Sequence, residues 1–462
     1  MRQDQTAGAT SEEAAAIAAD VQELRLLLGR PDSLRSAYQP IVELATGAVV
    51  GYEALARGPV GGRLERPDRM FAAAATADRL ADLDWACRTA ALSGADTAGL
   101  ASPYALFVNV EPAALGSTPP TAFVALAERL AGRLPVVVEF TERALTADPA
   151  RLLAAADTVR AAGWRVAIDD IGAERGSLAL MPFIAPDVLK LDLRLVQQHT
   201  TIEVAEVVSA VNAQAERTGA VVLAEGIETP AHARLATEMG ARLGQGWLFG
   251  RPGPLPALPA RPDQHAGREE PARPERERID LTSAEPAIAT VSALPSAVRH
   301  DVLTPYELVA RSRAVQQSTK PLLVAMSKHL ERQAMVLGGP AVVAATFQHA
   351  HQFTPATARR YARLAESAEL VVALGLGMPD APAPGVCGAA FDPADPIVDE
   401  WSLVVVGPHF AGALLARDLG DPGEDAERRF DYVVTYDREL VVAAASALLR
   451  RVSPASRLLL AG

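Results

Sequence analysis

Carboxylates, one amide and one lysine recur at the ends of short apolar segments in the first half of the sequence. The segments FVNV, VVVEF, VAIDD, VLKLD and VVLAE carry them, and VVGYE precedes these segments. The residues concerned are Glu53, Asn109, Glu139, Asp169, Asp170, Lys190 and Glu225, followed by Gln245 in LGQGWLF. Most of these residues are separated by enough of the chain to form a helix that leads back to the start of a parallel strand. They can therefore collect at one end of a sheet.

A single polar residue after an apolar run commonly marks only a strand end or caps the next helix. Five carboxylates that converge on one site are different, because they repel one another unless cations bind or protons are taken up. Carboxylate and amide oxygens suit hard Mg²⁺ or Mn²⁺ ions. Two such ions about 3.5–4 Å apart can clamp a phosphodiester and activate a water molecule. A lysine in that position could orient the nucleophile.

The elements that must position these residues alternate between strand and helix from Tyr38 to about Pro252. This alternation predicts an α/β fold with parallel strands, whose carboxyl ends open on one face. Residues 11–30 have the spacing of an amphipathic helix, which either packs on the next domain or pairs with another copy. A segment rich in proline and charge follows the strands, and a second α/β region begins near Leu303.

Eight motifs in the first region resemble those of EAL-domain cyclic di-GMP phosphodiesterases, in the family's order. They are YQPIV, GYEALARG, FVNVEP, VVEFTE, IDDIG, LKLD, AEGIET and GQGWLFGRP, over roughly residues 35–255. The resemblance implies a (β/α)₈ TIM-like barrel. It also implies hydrolysis of cyclic di-GMP to pGpG with two Mg²⁺ or Mn²⁺ ions, and a homodimer formed through the barrel.

The resemblance further implies a role for each matching residue. One metal ion would be held by Glu53, Asn109, Glu139 and Asp169, and the second by Asp169, Asp170 and Glu225. Lys190 would contact the attacking water, and Gln245 would help to place the water or the substrate. The positions that would grip the dinucleotide are Gln39, Leu55 and Arg57, and Glu228 would steady the loop after the paired aspartates. Glu53, Asp170, Lys190 and Glu228 are thus the candidate catalytic residues.

The loop after the paired aspartates departs from the family pattern. This chain has DDIGAERGSL over residues 169–178, where the family has approximately DDFGTGYSSL. In the family this loop links the second metal ion to the dimer interface, so the departure bears on the rate. It leaves open a second function, a barrel that binds cyclic di-GMP as an effector without cutting it. A third is a scaffold that acts through its C-terminal domain.

The second region, over about residues 300–450, resembles the DICT sensory domain. The resemblance lies in SKHLERQA, ATFQHAHQF, RRYARLA, DEWSLVVVGPHF and RRFDYVVTYD. It implies regulation by an input of unknown kind, either a small molecule or a protein. The predicted organisation is an N-terminal helical segment over 1–34, the barrel over 35–255, a linker over 256–299 and the sensory domain over 300–452.

Charge, cysteine content and hydropathy exclude several classes of protein. A net charge of −12 argues against a general nucleic-acid binder. The two cysteines, Cys87 and Cys387, are far apart, which is typical of a reducing compartment and excludes a disulfide framework. The first residues lack the apolar core of a signal peptide, and no apolar run is long enough to span a membrane. We therefore expect a cytoplasmic location.

Overall fold

The computed structural model of this chain describes most of its length. The described residues are 3–30, 33–141, 143–173, 176–197, 201–256, 303–337, 339–422 and 424–452. The predicted linker over 256–299 lies outside them, except for Pro256. None of the described helices combines the length and the apolar composition that a membrane span requires.

Eight strands close into a barrel in the order in which they occur along the chain. They are β1 (Arg35–Glu43), β2 (Val49–Arg57), β3 (Ala105–Asn109), β4 (Val136–Phe140), β5 (Arg165–Ile171), β6 (Val188–Leu191), β7 (Val221–Ala224) and β8 (Leu243–Gln245). The predicted TIM-like barrel is therefore confirmed.

Helices precede and connect these strands. They are α1 (Gln3–Leu28), α2 (Pro67–Thr76), α3 (Leu80–Thr97), α4 (Thr121–Leu130), α5 (Arg143–Ala147), α6 (Pro149–Ala161), α7 (Gly176–Ile184), α8 (Leu193–Gln197), α9 (Ile202–Thr218) and α10 (Pro230–Glu238). Several begin at a side-chain cap. Asp148, Thr201 and Thr229 each accept a hydrogen bond from a backbone N–H in the first turn of α6, α9 and α10.

Parallel pairing, which the alternation of strands and helices predicts for the whole barrel, is wrong for β1. This strand pairs antiparallel with both β2 and β8, whereas the other neighbouring strands are parallel. Residues 44–48 alone connect β1 to β2. A parallel connection needs a crossover of about a dozen residues or more, so this short link permits only a hairpin.

The N-terminal helix α1 packs against the barrel domain through its last turns. Leu24 and Leu27 are buried in one apolar cluster with Leu64 and Met70. Earlier on the helix, Asp20 forms ion pairs with Arg63 and Arg69. Of the two alternatives that the sequence leaves open for this helix, the structure shows packing on the neighbouring domain for these residues.

The C-terminal region is a seven-stranded sheet with helices on both faces. Its helices are α11 (Pro305–Ala310), α12 (Lys320–Leu337), α13 (Pro355–Ala365) and α14 (Arg438–Leu449). Its strands are β9 (Gln316–Thr319), β10 (Val342–His349), β11 (Leu370–Leu376), β12 (Val386–Ala390), β13 (Glu400–Val406), β14 (Ala411–Asp418) and β15 (Arg429–Thr435). The strand order is β12-β11-β10-β13-β14-β15-β9, with β10, β11 and β12 parallel.

Alternation along the central strand β10 assigns the helices to the two faces of this sheet. Val343 and Ala345 belong to an apolar cluster that includes residues of α12 and α13. Val342 and Ala344 belong to a cluster that includes residues of α11 and α14. Successive side chains of a strand point to opposite faces, so a strand buried on both sides is apolar at almost every position.

A buried carboxylate in this sheet predicts that the stability of the C-terminal domain depends on pH. Glu400 is fully buried, accepts a hydrogen bond from the Tyr306 N–H and lies 3.3 Å from Arg417. Burial raises the pKa of Glu400 from 4.5 to about 7. Because its pKa is higher in the folded than in the unfolded state, the contribution of Glu400 to the stability of the domain is fully present below pH 4.5 and is lost as the pH rises toward 7.

The variant Glu400→Gln removes this titration and keeps an oxygen that can accept from Tyr306. We expect the difference in the free energy of unfolding between pH 5 and pH 8 to shrink by about 2–3 kcal/mol in the variant. Denaturant titrations of the full-length wild type and variant at both pH values measure it. An unchanged difference would show that Glu400 ionises without cost in the folded domain.

Candidate active site

The polar residues at the end of the barrel form the layer directly above its apolar interior. The interior layer is fully buried and consists of Ile41, Ala105, Phe107, Val137, Ala167, Val188, Leu223 and Leu243. The polar residues found two positions after members of this layer are Asn109, Glu139, Asp169, Lys190, Glu225 and Gln245. Residues two apart on a strand face the same side, so each of these side chains points to the barrel axis.

The strand β1 also contributes to this layer, but because it runs antiparallel to its neighbours its polar residue comes before its interior residue in the sequence. Gln39 lies two residues before Ile41 rather than after it, and it stands directly opposite Glu53 in the register of β1 and β2. The Gln245 Nε2 group donates to Gln39 Oε1 at 3.2 Å and to Glu53 Oε2 at 2.6 Å. Closure of the barrel by β8 against β1 therefore brings together residues about 200 positions apart.

Carboxylates surround the ammonium group of Lys190. Lys190 Nζ lies 2.8 Å from Glu139 Oε1, 2.8 Å from Asp169 Oδ1, 2.9 Å from Glu225 Oε1 and 3.8 Å from Glu53 Oε1. Lys190 is fully buried, and Glu139 is 1% exposed. One buried positive charge thus faces four buried or partly buried carboxylates.

Burial, together with this charge imbalance, shifts the pKa values of the cluster. Burial, reinforced by the charges of Glu53 and Asp169, raises the pKa of Glu139 well above its ordinary value. Burial and Asp169 raise the pKa of Glu225 to about 8, although Lys190 opposes the shift. Burial tends to lower the pKa of Lys190, but the surrounding carboxylates outweigh it and raise this pKa well above 10.5. The site consequently has a deficit of positive charge.

Two overlapping groups of carboxylates could each hold a cation. Glu53, Glu139 and Asp169 offer oxygens that all lie within 4.8 Å of one another, and Asp169, Asp170 and Glu225 form a second such group. Glu139 Oε2 is buried, and no described residue donates a hydrogen bond to it. A buried carboxylate oxygen without a donor, in a site short of positive charge, fits bound divalent cations.

Asn109 supplies the amide of this set. Its Nδ2 group donates to Glu53 Oε1 at 2.9 Å. With the nitrogen directed to Glu53, the amide oxygen of Asn109 remains as a neutral ligand for a hard cation. The predicted juxtaposition of Asn109 with the carboxylates is thus present, and its assignment as a metal ligand stays a prediction.

Unusual backbone conformations position the second carboxylate group. Asp170 has a φ of 56°, in the left-handed region that residues other than glycine seldom adopt. Gly226, directly after Glu225, has a φ of 64°, and a Cβ atom there would lie 2.3 Å from Leu193 Cβ. A residue other than glycine in this conformation, as Asp170 is, is strained, and such residues concentrate at functional sites. In the adjoining loop, Glu174 and Arg175 lie outside the described residues.

The four predicted substrate-binding residues line up beside the carboxylates. Leu55 and Arg57 follow Glu53 on β2 at intervals of two and are half-buried, so they face the same side. The Gln39 Nε2 group donates to the backbone oxygen of Gly250 at 3.2 Å. Together with Gln245, they form a rim of three polar side chains, one of them a guanidinium, and one leucine.

Glu228 does not join the cluster. It is exposed, and its carboxylate forms no hydrogen bond or ion pair with any described residue. Only its backbone N–H is engaged, donating to His232 Nδ1 at 3.3 Å. Its predicted role at the loop after the paired aspartates remains a prediction, because part of that loop is outside the described range.

A buried ion pair behind the site escapes prediction from the sequence. Asp84 on α3 is 3% exposed, pairs with Arg88 and accepts a hydrogen bond from the backbone N–H of Glu111 at 2.9 Å. The Arg88 guanidinium lies 3.6 Å from the centre of the Trp85 ring. Through the hydrogen bond from Glu111, the pair anchors the segment that directly follows Asn109. Oppositely charged residues four apart on a helix usually mark an exposed face, so nothing in the sequence signals this role.

The fold and the site together define the class of protein: this is an α/β barrel with an acidic site in the layer above its apolar interior. Residues 21–252, half of the chain, match the EAL domain family, and the chain belongs to this family. Residues 303–419 match the sensory domain in diguanylate cyclases and two-component systems, abbreviated DICT. Both resemblances that the motifs indicate are thereby confirmed.

Several relatives match the barrel region. A Mycobacterium tuberculosis protein is 33% identical over 245 residues, which cover 51% of this chain and 39% of the relative. The cyclic di-GMP phosphodiesterase NbdA of Pseudomonas aeruginosa is 34% identical over 245 residues, with coverages of 51% and 31%. The cyclic di-GMP phosphodiesterase RocR of the same organism is 33% identical over 229 residues, with coverages of 47% and 57%. The chain thus spans less than two thirds of each relative.

Among solved structures, the manganese and cyclic di-GMP complex of Klebsiella pneumoniae BlrP1 at pH 9.0 is similar to this chain. The two are 33% identical, with a TM-score of 0.43, and the similar region covers 48% of this chain and 56% of BlrP1.

Proposed function

We propose that the barrel is a metal-dependent phosphodiesterase that hydrolyses cyclic di-GMP to the linear dinucleotide pGpG. The observation that carries this proposal is the pair of carboxylate groups that share Asp169 and surround a single buried ammonium. A shared carboxylate between two oxygen-rich groups suits a pair of divalent cations, and such pairs serve phosphoryl transfer. Membership of the EAL family and the similarity to the cyclic di-GMP phosphodiesterases NbdA and RocR support cyclic di-GMP as the substrate.

Mg²⁺ or Mn²⁺ are the proposed ions. Glu53, Asn109, Glu139 and Asp169 would hold one, and Asp169, Asp170 and Glu225 the other. When bound, such ions lower the pKa of a coordinated water and offset negative charge on a phosphodiester. Their charge would also offset the burial and the repulsion that together raise the pKa values of Glu139 and Glu225.

The remaining polar residues of the site would bind and orient the reactants. Lys190, fully buried and held by carboxylates, has its ammonium directed to the centre of the cluster, where it would orient the attacking water. Gln245 bridges Gln39 and Glu53, so it couples the position of the water to that of the substrate. Arg57 carries a guanidinium that would pair with a phosphate of the dinucleotide, and Leu55 would contact a base.

Turnover and binding measured on the same preparation test this proposal. We expect the purified full-length chain to convert cyclic di-GMP to pGpG with Mg²⁺ or Mn²⁺, and to form no product after chelation with EDTA. The products are separated by ion-exchange chromatography, and binding is measured by titration calorimetry with and without metal.

The outcomes separate the three functions. Saturable binding of cyclic di-GMP without product under any metal condition would support an effector instead of an enzyme. Absence of both binding and turnover would contradict the assignment of the substrate and leave a scaffold acting through the C-terminal domain.

The proposal extends to regulation by the C-terminal domain. The helix α14 is followed by Arg450, whose Nη2 atom lies 2.7 Å from Asp157 Oδ2 on α6 of the barrel. This ion pair gives the C-terminal domain a direct contact with a barrel helix. A homodimer formed through the barrel, a cytoplasmic location and the domain boundaries over 1–34, 35–255, 256–299 and 300–452 are parts of the same proposal.

A further inference from the structure

The C-terminal domain contains a cavity that the proposed hydrolysis does not use. Its volume is about 320 Å³, and it lies between α12, α13 and the strands β10, β13 and β15. Small-molecule sites usually occupy about 300–1,000 Å³, so this cavity matches a compact ligand.

Two aromatic side chains form walls of this cavity, and two more support them. Phe347 and Trp401 line it and are half-buried, so part of each ring is accessible. Tyr361 and Phe430 are each 1% exposed and stand edge-on to these rings, at centroid distances of 5.4 Å from Phe347 and 5.9 Å from Trp401. Rings held in this way favour a planar aromatic partner that completes the edge-to-face or stacked arrangement.

The charged lining is predominantly positive, in a chain whose net charge is −12. Lys320, Lys328 and Arg360 line the cavity with one carboxylate, Glu331. Arg360 is paired with Glu331 and Lys320 with Asp425. Lys328 is exposed at the edge of the cavity and has no ion-pair partner among the described residues. Its ammonium is the cation available to an anionic ligand.

The N-terminus of α13 adds to the positive potential of the cavity. Thr354, Ala356 and Thr357, from the N-cap and first turn of α13, line the cavity. The N-terminus of a helix carries a partial positive charge that favours an anion.

A strained residue lies at the same cavity. Gln348 has a φ of 40°, is 8% exposed and lies within an irregularity in the pairing of β10 with β11, between Thr346 and His349. Its side-chain oxygen accepts from Arg428 at 3.2 Å, which holds the amide in place. A left-handed conformation at a residue other than glycine is unfavourable and is typical of ligand-binding positions.

We propose that this cavity is the ligand site of the sensory domain, and that it binds a small aromatic carboxylate. The ring would occupy the space between Phe347 and Trp401. The carboxylate would pair with Lys328, close to the first turn of α13.

Ligand-detected NMR titrations of the full-length chain test this proposal with three probes, benzoate, 4-hydroxyphenylacetate and indole-3-acetate. We expect at least one to bind saturably, with a Kd below about 1 mM. The neutral indole-3-acetamide and the ringless acetate should bind about tenfold more weakly or not at all, since one lacks the charge and the other the ring. Binding is the readout, so the result does not depend on whether the barrel hydrolyses cyclic di-GMP.

Variants locate the site. Lys328→Gln should weaken the binding of the carboxylate about tenfold, because it removes the unpaired ammonium. Arg332→Gln is the matched control, because Arg332 is an exposed cation on α12 that does not line the cavity. Ala356→Trp fills the cavity from an exposed position, so it leaves the core intact, and it should abolish binding.

The proposal would be overturned by the absence of binding by all three aromatic carboxylates, by equal binding of the amide or acetate, or by binding that Ala356→Trp leaves unchanged. Equal losses in Lys328→Gln and Arg332→Gln would also overturn it, since the effect would then be one of general charge.

Discussion

The variant Glu53→Gln is expected to lower turnover of cyclic di-GMP about a thousandfold at saturating Mg²⁺, because loss of the charge of this proposed metal ligand would remove several kcal/mol of transition-state stabilisation. Glu53 lies in the first carboxylate group and receives hydrogen bonds from Asn109 and Gln245. Glutamine preserves the shape of the side chain but not its charge. Initial rates of pGpG formation measure the effect.

A structural readout distinguishes this loss from misfolding. The cluster has a deficit of positive charge, and Glu53 contributes to the raised pKa values of Glu139 and Glu225. Removing its charge therefore relieves repulsion, so the melting temperature in EDTA should be unchanged or higher. Glu238→Gln, an exposed change on α10, is the matched control and should retain full activity. Near wild-type turnover by Glu53→Gln would place the reaction elsewhere.

Replacing Mg²⁺ with Ca²⁺ should suppress turnover at least about a hundredfold while cyclic di-GMP still binds. Ca²⁺ prefers bonds of about 2.3–2.6 Å and six to eight ligands, whereas Mg²⁺ requires near-octahedral geometry at about 2.0–2.1 Å. The carboxylates lie on strands or, for Glu225, directly after one, so the barrel holds them in place. A misplacement of about 1 Å can cost about a hundredfold in rate.

Rates and binding isotherms with Mg²⁺, Mn²⁺ and Ca²⁺ at equal concentration measure the effect of the ion. Adding Ca²⁺ to the enzyme in Mg²⁺ should inhibit it competitively with the metal. Equal turnover in Ca²⁺ and Mg²⁺ would contradict the use of a compact two-metal site.

Most of the candidate site is predictable from the sequence because its residues obey a local rule. Asn109, Glu139 and Asp169 each come at the end of a short apolar run and two positions after a residue of the barrel interior. The period of two on a strand and the common direction of the strands bring such residues together without knowledge of the final packing. The two-domain organisation is likewise visible, because the linker between the domains differs from both in composition.

The sequence could not show the features that depend on distant parts of the chain meeting. The antiparallel course of β1, the contact of Gln39 with Gln245 and the burial of the pair Asp84 and Arg88 all arise when the barrel closes. The cavity of the C-terminal domain similarly combines two helices and three strands, and its aromatic residues resemble ordinary core residues in their local patterns. Local periodicity determines which face of an element is apolar, whereas only tertiary packing determines what each face meets.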